Sequence, residues 1–245
     1  MPTILKSNTK IKTMMGNFNA SKKQFKVIFG KIIKENRSHE FDEAAFPAYS
    51  HKNPLIDWLF WERIKISYKY ANRNQKINRI FDFGSGSEVL SYMLAKKGYD
   101  ITTCDIEFTP LKLLKKTIEF PENIEFIEGD ILPINLESNS FNIIYALDVL
   151  EHIDNFEPYI KLFDRLLNHN GVIVISGPTE NAFYKIGRRI AGKRFTGDYY
   201  GTNISEIKKK ITSYFKVTLL KKLLFPLGLF EVFIAKKKII HNIKS

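Results

Sequence analysis

Between residues 77 and 178, short apolar runs alternate with stretches of helical period, and this alternation limits the fold more than any other feature. The runs are Ile77–Phe83, Asp100–Cys104, Ile124–Ile127, Phe141–Leu147 and Gly171–Ser176, with helical patterns near 87–97, 110–119 and 156–168. Short, continuously apolar runs read as strands buried on both faces, and strands separated by helices read as crossovers in a parallel sheet. The middle helix is the best signalled. Thr109-Pro110 supplies a cap and a first-turn proline, and Leu111, Leu113 and Leu114 supply an apolar stripe. After a helix near 203–213, Tyr214–Leu220 and Leu229–Ala235 flank the turn Phe225-Pro226-Leu227-Gly228. Strands joined so closely must run antiparallel, because a parallel return needs a crossover of about a dozen residues or more. The expected fold is α/β, a mostly parallel sheet finished by an antiparallel hairpin.

Upstream the pattern is helical. Residues 1–20 carry no sustained apolar period and contain a polar stretch at Gly16–Asn19, so a poorly ordered N-terminus is expected there. Residues 21–75 read as a helical cover. Its first helix, 21–35, is basic and amphipathic, with Phe25, Ile28, Phe29, Ile32 and Ile33 at helical spacing among Lys22, Lys23, Lys26, Lys31 and Lys34. A second helix opens at Asn53-Pro54 and runs to about Ala71. Residues 76–245 form the main domain, with 179–203, rich in aromatic and basic residues, expected as a lid insertion.

The chain has 245 residues and a formal charge of +12, from 38 Lys and Arg against 26 Asp and Glu. Such a field attracts polyanions, whether nucleic acid, an anionic membrane face or an anionic substrate. The single cysteine, Cys104, excludes an internal disulfide framework and a paired-cysteine zinc site. No metal site is expected. With no apolar span of about 20 residues and no evident signal peptide, a cytoplasmic protein is the expectation.

The chemistry begins at Ile80-Phe81-Asp82-Phe83-Gly84-Ser85-Gly86-Ser87, a strand ending in an acid, a loop with two glycines, then a helix. Glycines let backbone N–H groups approach a ligand, and the carboxyl edge of an open α/β sheet is where ligands bind. A second acid, Asp105, ends the next strand, where a carboxylate can accept both ribose hydroxyls of an adenosine. A dinucleotide calls for a third glycine three residues after Gly86, where Val89 stands, and Asp82 repels a diphosphate. A positively charged nucleoside suits this charge pattern. S-adenosylmethionine is one.

Five motifs together, Asp82-Phe83-Gly84-Ser85-Gly86, Thr103-Cys104-Asp105, Glu128-Gly129-Asp130, Leu147–Ile153 and Gly171–Pro178, resemble those of class I S-adenosylmethionine-dependent methyltransferases. The resemblance is to the small-molecule branch that contains ubiquinone- and menaquinone-pathway enzymes. It implies a Rossmann-like, mostly parallel seven-stranded sheet whose last strand is antiparallel. It further implies Asp82, Gly84, Ser85 and Gly86 around the methionine part and Asp105 on the ribose. Asp130 would take the adenine amino group, with Ile106 and Ile131 flanking the ring. Leu147 and Asp148 would border the reaction centre. Departures from the family are Glu88, where a third glycine is frequent, and Asn142, where an acid is frequent.

Methyl transfer from a sulfonium needs alignment and exclusion of water more than a covalent residue, and oriented binding supplies about 7–11 kcal/mol of barrier reduction. Asp148 and His152 are the candidate catalytic residues should a base be required. The acceptor expected is a small or lipid-linked molecule, with peripheral contact at an anionic membrane through the 21–35 helix and the lid. An RNA or protein methyltransferase and a non-catalytic cofactor-binding module are the alternatives. Nucleic acid is disfavoured because the fourth strand ends Ala146-Leu147-Asp148-Val149 and not in the Asn/Asp-Pro-Pro-aromatic signature of base-amino methyltransferases.

Overall fold

The structure, a computed structural model, describes residues 17–35, 49–50, 53–72, 77–179, 203–224 and 227–238. The expected lid lies outside these residues, save for Thr179 and Asn203 at its ends. Most of the expected unordered N-terminus lies outside them too.

Seven strands form one sheet: β1 (Arg79–Phe83), β2 (Asp100–Asp105), β3 (Ile124–Glu128), β4 (Phe141–Leu147), β5 (Leu167–Pro178), β6 (Phe215–Leu223) and β7 (Phe230–Lys237). Their order is β3-β2-β1-β4-β5-β7-β6. The first five are parallel, while β7 runs antiparallel to both β5 and β6. This is the expected sheet with its antiparallel last strand. That strand does not lie at the edge. It is inserted between β5 and β6, and β6 forms the rim.

Alternation along each strand divides the core in two. Ile80, Ile101, Ile143, Tyr145, Val172 and Val174 face one helical layer, made of α1 (Phe18–Glu35), α2 (Pro54–Asn72), α3 (Val89–Ala95) and α4 (Thr109–Thr117). Phe81, Phe83, Ile144, Ala146, Ile173 and Ile175 face the other, made of α5 (Glu157–Leu166) and α6 (Ile204–Tyr214). Each fully buried large side chain contributes about 1.5–3 kcal/mol, so the two layers hold the strand ends, and any site on them, rigidly in place.

The N-terminal helices are part of this core. Phe25, Ile28, Phe29 and Ile32 of α1 are buried. Lys22 and Lys26 of α1 pair with Asp57 of α2 at 3.3 and 2.8 Å. The Tyr145 hydroxyl on β4 donates to the Ser67 carbonyl of α2 at 2.8 Å, pinning the cover to the centre of the sheet. The helix expected over 21–35 begins at Phe18, with the Asn17 Oδ1 accepting from the Ala20 N–H at 3.1 Å.

Candidate active site at the carboxyl edge

β1 ends at Phe83, and the chain turns through Gly84 (φ 70°) and Gly86 (φ 54°) before entering α3. The Gly84 and Ser85 N–H groups both point at the Cys104 carbonyl, at 2.8 and 3.3 Å, which closes the turn against β2. Gly84 must be glycine on two counts. Its φ is left-handed, and a Cβ there would lie 2.3 Å from the Val149 Cγ2.

Two acids flank the turn on adjacent strands. Asp82 is buried and accepts from the Ser91 hydroxyl of α3 at 2.5 Å. Burial raises its carboxyl to about 6, against that hydrogen bond and with help from the Asp105 charge. Asp105 Oδ2 accepts from the Gly86 N–H at 2.8 Å. Burial also raises Asp105, opposed by hydrogen bonds from the backbone N–H groups of Gly86, Glu107 and Ile106. Between them lies a third acid, Glu88 at φ 57°, entirely buried.

The remaining residues read from the sequence lie along the same edge. Asp130 Oδ1 accepts from the Leu132 N–H and the Tyr159 hydroxyl, each at 3.0 Å. Ile106 is 72% exposed, whereas Ile131 is wholly buried in the cluster that holds Phe81, Phe83 and Cys104. Burial and the neighbouring Asp105, Asp130 and Glu88 charges push the Cys104 thiol up to about 12, so it stays neutral and serves as core. Leu147 ends β4, and Asp148 follows it at φ 53°. Asp148 accepts from the Ser176 hydroxyl at 2.9 Å, and its N–H donates to the Ser176 carbonyl at 3.0 Å. His152 stands exposed on a 3₁₀ turn, Leu150–His152.

The family model that matches this chain is a methyltransferase domain, over residues 81–175. Those residues hold every strand end just described. They form a class I S-adenosylmethionine-dependent methyltransferase domain. Ubiquinone biosynthesis O-methyltransferases resemble the chain at low identity. That of Psychrobacter arcticus is 24% identical over 148 residues, 56% of this chain and 57% of the relative. That of Rickettsia typhi is 26% identical over 123 residues, 47% of this chain and 45% of the relative. The chain thus spans about half the length of these relatives. Two solved structures share the fold. The plantazolicin methyltransferase BpumL, in complex with a monoazolic desmethylPZN analog and SAH, superposes with a TM-score of 0.59 at 14% identity, covering 91% of this chain and all of its own. A TehB-like SAM-dependent methyltransferase from Corynebacterium glutamicum superposes with a TM-score of 0.53 at 18% identity, covering 72% and 87%.

One charged group at this edge was missed by sequence reasoning. Arg63 of α2 is 3% exposed, and its guanidinium pairs with Asp148 at the tip of β4. It is stacked between the rings of Phe60 and Phe230, at 4.3 and 4.9 Å. A buried cation between aromatic rings is costly to place without a function or a firm partner. The signal was present. Arg63 falls on the apolar stripe of α2, four residues after Leu59 and beside Ile64, where a solvated arginine does not belong. Tyr159 and Ser176, which hold Asp130 and Asp148, were also missed, because hydroxyl partners carry no local pattern.

The edge fits S-adenosylmethionine. Its buried carboxylates, exposed isoleucine and guanidinium are chemically compatible with a nucleoside that carries hydroxyls, an ammonium and a carboxylate. Gly84, which no residue with a Cβ can replace, keeps the turn close to whatever lies over it.

Proposed function

We propose that this chain transfers the methyl group of S-adenosylmethionine to a small, lipid-linked acceptor met at an anionic membrane surface. The observation that carries the reading is the Gly84–Gly86 turn, held between carboxylates on adjacent strand tips, with Gly86 N–H on Asp105 at 2.8 Å. S-adenosylmethionine supplies a methyl group on a sulfonium, which becomes a neutral thioether once an acceptor lone pair has taken that methyl.

The chain's own residues bind and orient. Asp105 accepts the ribose hydroxyls, and Asp130, steadied by Tyr159, accepts the adenine amino group while Ile106 covers the ring. Asp82 balances the ammonium. Arg63 takes the carboxylate of the amino-acid tail, and Asp148 and Ser176 keep that guanidinium aimed at the tip of β4. A carboxylate bound to a guanidinium is a poor base, so Asp148 acts as a positioning residue. His152 is left to accept the acceptor's proton where there is one to lose. A hydroxyl acceptor is supported by the relatives named as ubiquinone biosynthesis O-methyltransferases. Membrane contact is supported by apolar side chains exposed on the basic N-terminal cover: Val27 (65%), Leu55 (46%) and Trp58 (39%).

Titration calorimetry of the full chain with S-adenosylmethionine tests the cofactor assignment. Wild type should bind, and Asp105→Ala should weaken binding roughly 10- to 100-fold, the worth of charged hydrogen bonds at about 1.5–3 kcal/mol. A labelled donor incubated with quinol and phenol acceptors then reports transfer. Failure of wild type to bind the donor overturns the assignment, and binding without transfer to any acceptor favours a non-catalytic module.

A further inference from the structure

Where the resembling family frequently has the loop's third glycine, this chain has Glu88, and the residue keeps a glycine-like backbone at φ 57°, ψ 16°. Left-handed backbone on a residue with a Cβ costs about 1–2 kcal/mol. The side chain is wholly buried beneath the turn. Oε1 accepts from the Ser85 hydroxyl at 2.5 Å and the Thr103 hydroxyl at 2.7 Å, and these hydroxyls lie 2.6 Å from each other. Oε2 is buried with no hydrogen-bond partner among the described residues.

Among the described residues, the groups facing Glu88 offer it no positive charge. β1 presents Asp82, the end of β2 presents Thr103, Cys104 and Asp105, and the turn presents Ser85. The Ser91 hydroxyl of α3 is already engaged by Asp82. The Arg63 charge acts, with that of Asp82, on the Tyr49 phenol, and Arg63 itself pairs with Asp148. An ionised Glu88 would be a buried charge beside two more carboxylates, far costlier than a neutral acid with one unmatched oxygen. Burial and the Asp82 charge accordingly push it up to about 8, against the two hydroxyl hydrogen bonds.

We propose that Glu88 is a charge-selecting residue of the loop: neutral while the loop is empty, it releases its proton to solvent when a cationic nucleoside settles over Gly84–Gly86. The inference rests on the loop being the S-adenosylmethionine site. No bond other than the O–H of Glu88 breaks, and the ligand's positive charge takes the place of the proton. Affinity for a cationic ligand therefore rises with pH until Glu88 is ionised in the empty loop as well. A neutral nucleoside gains nothing from the change.

Calorimetry at pH 7.5 in two buffers of different ionisation enthalpy, with the full chain, reads the proton directly. S-adenosylmethionine binding to wild type should release a substantial fraction of a proton, and its affinity should climb by up to about tenfold per pH unit below 8. Methylthioadenosine, which lacks both ammonium and sulfonium, should release none. Glu88→Gln should bind the cationic ligand without proton release, and Glu88→Gly, matched to the backbone, should do the same if the glutamine variant does not fold. Equal release by wild type and either variant, or by methylthioadenosine and S-adenosylmethionine, would overturn the proposal. Binding of neither nucleoside by wild type defeats the cofactor assignment itself, and the proposal with it.

Discussion

Among single residues, the buried acids Asp82 and Glu88 make this fold answer to pH between their ordinary values and about 8. Both are acids that the folded chain holds protonated more tightly than the unfolded chain does, from ordinary values of 3.8 and 4.5 to about 6 and about 8. In the window between, the native state binds more protons than the unfolded state, so stability falls as pH rises. Their favourable contribution is complete below the ordinary values. It is lost by about pH 6 for Asp82 and by about pH 8 for Glu88. Thermal melts of the ligand-free chain should show a midpoint that declines from pH 5 to pH 8. Glu88→Gln should abolish the decline above pH 6 and leave a shallower one below it, from Asp82. A midpoint that rises through this range, or an identical profile in the variant, contradicts the assignment.

Elements differ in how plainly they can be read. β4 was legible to the residue, because Phe141–Leu147 is an apolar run, broken by Asn142 alone, that an acid follows. β6 runs past the expected Leu220 to Leu223, since pairing with β7 carries Lys221 and Lys222 across an irregularity that the lysines disguise. α1 starts three residues early for a tertiary reason. Phe18 packs its ring on Trp61 and Tyr68, so the polar Asn17 is a cap and not part of an unordered arm. The site shows the same division. Asp82, Gly84, Gly86 and Asp105 are legible because one strand-turn-helix-strand unit places them. Arg63 is not, because its meeting with Asp148 depends on packing α2 over the finished sheet. At α6 the local logic is plain again. Asn203 Oδ1 accepts from the Ser205 and Glu206 N–H groups at 3.0 and 3.1 Å, and its amide donates to Glu206 at 2.9 Å. Asn203→Ala should cost about 1 kcal/mol. That corresponds to a drop of about 2–4 °C in the melting midpoint, read by circular dichroism.

At the scale of the whole molecule, the chain is positively charged, and its N-terminal cover carries the exposed Val27, Leu55 and Trp58. No described helix is long and apolar enough to cross a membrane. The full chain should sediment with vesicles containing anionic lipid at low salt and remain in solution with neutral vesicles. Each lysine at such a surface contributes about 1 kcal/mol, and added salt screens it. Trp58→Ala together with Val27→Asp should weaken the sedimentation. Retention at high salt, or equal partition to neutral vesicles, would refute the membrane reading.

The slot that β7 fills also sets a schedule for synthesis. During translation β6 leaves the ribosome before β7, yet its sheet partner is β7 alone, and β7 alone joins it to β5. A nascent chain halted before Phe230 therefore exposes the lateral edge of β5, with β6 tethered nearby and nothing to zip it on. The last strand to emerge is the keystone of that side of the sheet, and until it arrives the emerging polypeptide has an open β edge for chaperones to guard.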